Sequence, residues 1–243
     1  KTEGHGKILK RLMPSKGKGQ WHIHKVLGNV IASKYPLKIL PSKNESYAAA
    51  YIGLAEKQLF IINVHLKAMG YIDSREDRLR IRQVKDLLDT IDEIYKGKYN
   101  KDDAKDKQPA IVMLGDFNLV GSRTPLDMMI DKKNYGFKDW LIPNLIGESV
   151  VTWRGGPRAS FSPGKLDYIV YSTGTLIPKN GFLLNSELLN QTERSQMKLY
   201  ADDSKISDHL LITVDFQFSD SAENLSIPEA PLSYKCQPSR YRM

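Results

Sequence analysis

A chain of 243 residues, 41% hydrophobic and 26% charged, has enough apolar surface for a substantial core and lacks the composition of a disordered chain. No run reaches the ~18 consecutive apolar residues that a membrane-spanning helix needs, and one cysteine, Cys236, excludes an internal disulfide framework and a multi-cysteine zinc site. A net charge of +8 favours a polyanionic partner, which nucleic acid or an anionic lipid surface would both satisfy.

The first 25 residues carry seven Lys/Arg against a single acid, Glu3. Ile8, Leu9, Leu12 and Met13 fall at helical spacing and Pro14 closes the pattern, so a short basic amphipathic helix is expected just after Glu3. Trp21-His22-Ile23-His24 reads as a strand whose two histidines share a face. That is the spacing of a metal pair and equally of an ordinary exposed strand. Residues 26–32 and 47–54 are predicted strands, with turn and loop chemistry between them. Another apolar run, residues 59–66, ends in Asn63-Val64-His65-Leu66-Lys67. From Ser74 to about Tyr95 the period changes to that of a helix, with Leu79, Val84, Leu87, Leu88, Ile91 and Ile94 as its apolar stripe. Arg75, Arg78, Arg80 and Arg82 beside it are expected to be a solvated face. The polar segment 96–108 reads as a loop.

The stretch Ala110-Ile111-Val112-Met113-Leu114-Gly115-Asp116-Phe117-Asn118 follows. Its five leading apolar residues are the pattern of a fully buried strand. The chain then leaves the core on a carboxylate and a carboxamide. Residues two apart in an extended chain point the same way, so Asp116 and Asn118 would face one spot while Phe117 turns inward. Two oxygen donors at a strand end suit a hard divalent cation or a phosphate; Asp and Asn are also common in plain turns. Beyond it, Ser122-Arg123-Thr124-Pro125 is expected to open a short helix. Residues 165–171 read as a strand, with Asp167 a charge among apolar neighbours near its start. Residues 190–207 read as a polar loop leading into Ser207-Asp208-His209, and residues 210–218 as the last strand. Beyond Ser219 the sequence is polar and without period. Residues 1–218 therefore form one predicted domain and residues 219–243 a tail.

His65, Asp116, Asn118, Asp167, Asp208 and His209 thus stand at the ends of four separate apolar runs in an α/β alternation. Each has an ordinary structural excuse alone; together they suggest convergence at one sheet edge. The order of Asn63-Val64-His65-Leu66, Gly115-Asp116-Phe117-Asn118, Thr152-Trp153, Leu166-Asp167-Tyr168-Ile169 and Ser207-Asp208-His209, preceded by the segment from Gly28 to Pro36, resembles the endonuclease/exonuclease/phosphatase superfamily, with its exonuclease III-like and pancreatic deoxyribonuclease-like members. The resemblance spans roughly residues 3 to 218. It implies an α/β fold, a four-layer sandwich of two packed mixed β-sheets flanked by helices, and divalent-metal-dependent cleavage of a phosphate ester with Mg²⁺ or Mn²⁺.

Carried over by motif, the resemblance makes Asp208 a metal ligand and places His209 at the scissile phosphate, oriented by Asp167. It gives Asp116 and Asn118 the attacking water and the phosphate oxygens, and His65 the phosphate or the leaving group. Glu3 stands where the family's early acidic metal ligand would be. The family's first-strand asparagine has no counterpart here, so the chain is expected to begin inside the domain and to lack a first strand. The basic balance, the basic N-terminal segment and the loop from Arg154 to Lys165 that carries Arg158 lean toward a nuclease acting on DNA or RNA. A phosphatase or phosphodiesterase for lipid or inositol phosphates, and a non-catalytic polyanion-binding relative, share the same features.

Overall fold

A computed structural model describes residues 20–54, 57–99, 108–130, 135–142, 150–156 and 159–219. The expected N-terminal helix with Glu3, most of the 96–108 loop, Arg158 and the tail beyond Ser219 lie outside these residues.

One six-stranded sheet carries the architecture, in the order β3-β4-β5-β6-β8-β7. Its members are β3 (Lys38–Leu40), β4 (Tyr47–Leu54), β5 (Lys57–His65), β6 (Ala110–Asp116), β7 (Phe137–Asp139) and β8 (Asp167–Ser172). All pairings are antiparallel except β5 with β6. That parallel pair requires a crossover, supplied by α1 (Arg75–Tyr95). Ser74 caps α1, accepting from the Asp77 N–H, and Glu76 and Asp77 stand in its first turn, where the helix dipole favours negative charge.

The two faces of the sheet follow the period of two. Tyr47, Ala49, Phe60, Ile62, Val64, Ile111, Met113, Tyr168 and Val170 pack in one cluster with Val84, Leu87, Leu88, Ile91 and Ile94 of α1 and with Leu126 and Met129 of α2 (Thr124–Ile130). The alternate residues face a second β layer. Ala110, Val112, Ile169 and Tyr171 meet Leu183, Ile212, Val214 and Phe216 from the hairpin of β9 (Leu176–Leu184) and β10 (Leu211–Phe218). Ala48, Ala50 and Ile61 meet Val26 and Ile31 from the hairpin of β1 (His22–Val26) and β2 (Asn29–Ser33). Helices, a mixed sheet and a second β layer are the α/β sandwich expected from the sequence. Burial on both faces explains why β4 and β6 read as continuous apolar runs. No helix among the described residues is long and apolar enough to cross a membrane.

Several local expectations change. Residues 26–32 are two strands joined at Leu27-Gly28, with Leu27 in a left-handed conformation at φ 48°. Leucine rarely occupies that region; the turn signal lay in Gly28-Asn29 beside it. His22 and His24 do share the half-buried face of β1. Arg80 is not solvated: it is 0% exposed and ion-paired to Asp77. The supposed loop 190–207 contains α3 (Gln191–Met197), which opens on an Asn190/Glu193 capping box, and a 3₁₀ turn over Asp203–Ile206. Strands β3 and β9 escaped notice because one is three residues long and the other carries Pro178 and Gly181.

Ile91 of α1 is fully buried against the central sheet. Ile91→Ala is expected to lower unfolding free energy by about 2–5 kcal/mol in a urea titration, whereas a loss below ~0.5 kcal/mol would mean that α1 is not the cover of this core.

Candidate active site

Strand register builds the site. Along β5 and β6 the pairs run to His65 opposite Asp116, and along β6 and β8 to Asp116 opposite Asp167. Three polar side chains therefore form a row across one edge of the sheet, on the face turned away from α1. Phe117 points the other way, is 0% exposed, and packs on Tyr168 with ring centroids 5.4 Å apart. Gly115 makes the geometry possible. Its φ is 131°, and a Cβ there would collide with the Val64 carbonyl oxygen; only glycine fits this approach.

Asn118 and Asp116 do meet, though not by simple alternation. Asn118 is left-handed at φ 48°. Its backbone N–H donates to Asp116 Oδ1 at 2.9 Å, and its side-chain Nδ2 donates to Asp116 Oδ2 at 2.8 Å and to the Leu66 carbonyl at 3.0 Å. The asparagine thus fixes the carboxylate and binds it to the end of β5. The backbone adds a further tie, Leu66 N–H to the Asp116 carbonyl at 3.0 Å.

His209 arrives from the segment before β10. Thr152, fully buried, holds it in place from two sides: its carbonyl accepts from Leu210 N–H at 2.7 Å, and its hydroxyl accepts from the Leu166 and Asp167 N–H groups, both at 3.0 Å. Trp153 bridges to both Gly164 and His209. His209 Nδ1 lies 2.8 Å from Asp167 Oδ2. An ionised carboxylate only accepts, so Nδ1 carries a proton and Nε2 faces the site. His209 Nε2 is 3.9 Å from Asp116 Oδ2, and His65 Nε2 is 3.8 Å from the same oxygen. Two imidazoles therefore flank one carboxylate oxygen, with a second carboxylate behind one of them.

This cluster opens into a cavity of about 210 Å³, whose walls are Ala68, Met69, Val120, Trp153, Phe161 and Leu166. No Lys or Arg is among the described residues that line it. Burial raises the Asp116 carboxyl above the usual range, and the Asp167 charge adds to this; the Asn118 N–H and the two histidines oppose it. The hydrogen bond to Asp167 raises His209, against the burial that would lower it. Both shifts favour the protonated form of the group concerned.

Of the residues expected from sequence, His65, Asp116, Asn118, Asp167 and His209 converge. Asp208 lies beside them but accepts from Trp153 Nε1 at 2.9 Å, which occupies one of its oxygens. Glu3 lies outside the described residues. Among the described residues no set of three or more His, Cys, Asp or Glu side chains is arranged to hold a metal. Mg²⁺ keeps several waters and is bound through one or two carboxylates plus substrate phosphate; the Asp208 oxygen not taken by Trp153 suits one such ligand. Sequence reasoning quoted Thr152-Trp153 without a role. A threonine between apolar residues and a glycine-rich loop was the signal available, and only the fold shows that its hydroxyl joins two site segments.

No protein-family model matches the chain, and no curated protein matches it. Solved structures are similar. D. rerio TDP2 complexed with single strand DNA product superposes with a TM-score of 0.51 at 16% identity, covering 88% of this chain and 82% of that one. The human Nocturnin catalytic domain with bound sulfate anion gives 0.44 at 23% identity, covering 71% of this chain. The chain spans about half of that structure's length, 52%. A mannosyl-6-phosphatase of Bacteroides thetaiotaomicron gives 0.44 at 15% identity, with 71% and 56% covered. The chain shares the fold of the D. rerio TDP2 structure.

Because Asp167 raises His209, Asp167→Asn is expected to return the imidazole toward its ordinary value in an NMR pH titration of the chelator-treated protein. The linked stability has a defined sign. A raised folded-state value stabilises the fold below the ordinary histidine range, and that contribution is lost as pH rises through the folded value. The variant should lose this component of the pH–stability curve. An unchanged His209 titration would contradict the pairing.

Proposed function

We propose that this chain is a phosphoric-ester hydrolase dependent on a divalent cation, and that its substrate is the phosphodiester bond of DNA or RNA. The observation that carries the reading is the pair of imidazoles on either side of Asp116 Oδ2, with Asp167 behind His209. Phosphoryl transfer asks a protein mainly to position the groups and to stabilise charge. Asp116, with its proton affinity raised by burial, takes the proton of an attacking water. Asn118 holds that carboxylate through both of its oxygens and does not itself need to reach the phosphate. When charged, His209 donates from Nε2 to a phosphoryl oxygen, and Asp167 balances the imidazolium. His65, half exposed on the opposite side, binds the phosphate or protonates the leaving oxygen.

With no basic side chain lining the described cavity, the imidazoles alone leave much of the phosphate charge uncompensated. A divalent cation, Mg²⁺ or Mn²⁺, would neutralise the phosphoryl oxygens. Asp208 and Glu3 are its proposed ligands.

Two observations favour nucleic acid. The chain carries a net charge of +8, which suits a polyanion and makes binding fall steeply with salt. The D. rerio TDP2 structure of the same fold is complexed with single strand DNA product.

Nicking of supercoiled plasmid by the purified chain with Mg²⁺ tests the proposal. Nicking should be abolished by EDTA and should fall on the order of 10²-fold or more in Asp116→Asn, the scale of a lost general base. Hydrolysis of small phosphate esters but not of plasmid would move the substrate to the lipid or sugar phosphates. Turnover that survives in Asp116→Asn would overturn the assignment of the site.

A further inference from the structure

The site strands end in two loops. Residues 66–74 follow β5, and residues 117–123 follow β6. They form facing walls of the cavity, with Ala68 and Met69 on one side and Asn118 and Val120 on the other. Both contain backbone that a side chain disfavours: Met69 at φ 72° and Asp73 at φ 63° in the first, Asn118 at φ 48° in the second. For a residue such as Met69 that conformation persists only where surrounding contacts impose it.

Ties to both loops come from one buried ion pair on the first turns of α1. Arg80 Nη2 donates to Asp77 Oδ1 at 3.0 Å, with side chains 0% and 2% exposed. Arg80 Nη1 donates to two carbonyls of the first loop, Lys67 at 2.8 Å and Met69 at 2.7 Å. Asp77 Oδ2 accepts from the Asp73 N–H at 3.1 Å. Asp77 Oδ1 reaches the second loop, accepting from the Ser122 N–H at 3.0 Å and the Ser122 hydroxyl at 3.2 Å. Gly121 completes the fit, since a Cβ there would collide with Asp77 Oδ1 and Arg80 Nη2. Gln83, one turn further along α1, accepts from the Lys67 N–H at 2.9 Å.

A buried pair of this kind is weak as a source of stability, because desolvating two charges offsets most of their attraction, and an apolar pair often does as well. Arg80 Nε is even left without a partner. What an apolar pair could not do is hold backbone groups of two separate loops at once. We infer that Asp77 and Arg80 are positioning residues that set the spacing of the two cavity walls, and through them the placement of His65 against Asp116 and Asn118. They touch no substrate. The inference rests on the proposed hydrolase only where it predicts turnover.

The test is the double variant Asp77→Leu/Arg80→Met, with Arg80→Lys beside it. Amide hydrogen exchange is read across residues 66–74 and 117–123, stability in urea, and kcat and KM on plasmid or on whichever phosphate ester the parent chain hydrolyses. The double variant should still unfold in one cooperative transition in urea, at a midpoint lowered by the loop backbone groups it leaves unpaired. Both loops should exchange on the order of 10-fold faster or more, as expected once local ties are cut. The rate constant kcat should fall roughly 10- to 100-fold with KM little changed, the size of effect a small misplacement produces. Arg80→Lys, which keeps the charge and loses the fork, should move the same readouts in the same direction by less. It is also the deciding variant should the double one not fold. Parent-like exchange in both loops of a folded variant, or a response in the 66–74 loop alone, would overturn the inference. The exchange arm decides this even if the parent hydrolyses no ester, an outcome that would count against the proposed function and not against the coupling.

Discussion

Parallel strands end at the same edge of a sheet, and antiparallel strands do not. Among the described strands the single parallel pairing, β5 with β6, therefore decides where the candidate site lies. It brings His65 and Asp116 side by side from runs fifty residues apart. It also forces a crossover, which α1 supplies while covering the sheet with Val84, Leu87, Ile91 and Ile94. The antiparallel neighbour β8 then begins where β6 ends, so Asp167 enters the row at its first residue. The same pairing that closes the core collects three ionisable side chains at its rim.

Holding those groups together has an electrostatic cost that the local structure distributes. Asp116 and Asp167 are neighbours of like charge, both largely withdrawn from solvent at 18% and 16% side-chain exposure. Each is answered separately: Asp116 by the Asn118 backbone and side chain, Asp167 by the His209 ring. Dividing the partners gives the two carboxylates different surroundings. Asp167 sits on the His209 imidazole, while Asp116, desolvated, has its proton affinity raised and suits a base. Thr152 links the two halves mechanically, because one hydroxyl carries the start of β8 while the same residue's carbonyl anchors the approach to β10.

Much of this was legible in the sequence because it follows from period. Apolar runs of five to eight residues marked β4, β5, β6, β8 and β10, and the change to helical spacing after Ser74 marked α1 to within a residue. The polar residues that break those runs at their ends, His65, Asp116, Asp167 and His209, were visible for the same reason. What was hidden depends on contacts that no local pattern encodes. Arg80 looks like its neighbours Arg78 and Arg82, and only the two loops folding over α1 bury it. Leu27 gives no turn signal, yet it turns the β1–β2 hairpin. That hairpin lies close to the site: a side chain at Gly28 would come within 3.7 Å of His65 Nδ1. Asn118 was expected beside Asp116 on an extended backbone; it donates to both oxygens from a left-handed turn, with Nδ2 also on the Leu66 carbonyl.

The central claim is that a phosphate belongs between the two imidazoles above Asp116. The most direct measurement is a crystal structure of the chain grown with Mn²⁺ and inorganic phosphate, with anomalous data to locate the metal. A phosphate should lie in hydrogen-bond reach of both His65 Nε2 and His209 Nε2, with the metal against Asp208. Phosphate bound only to the basic outer surface, with the cleft between His65 and His209 empty at saturating concentration, would contradict it.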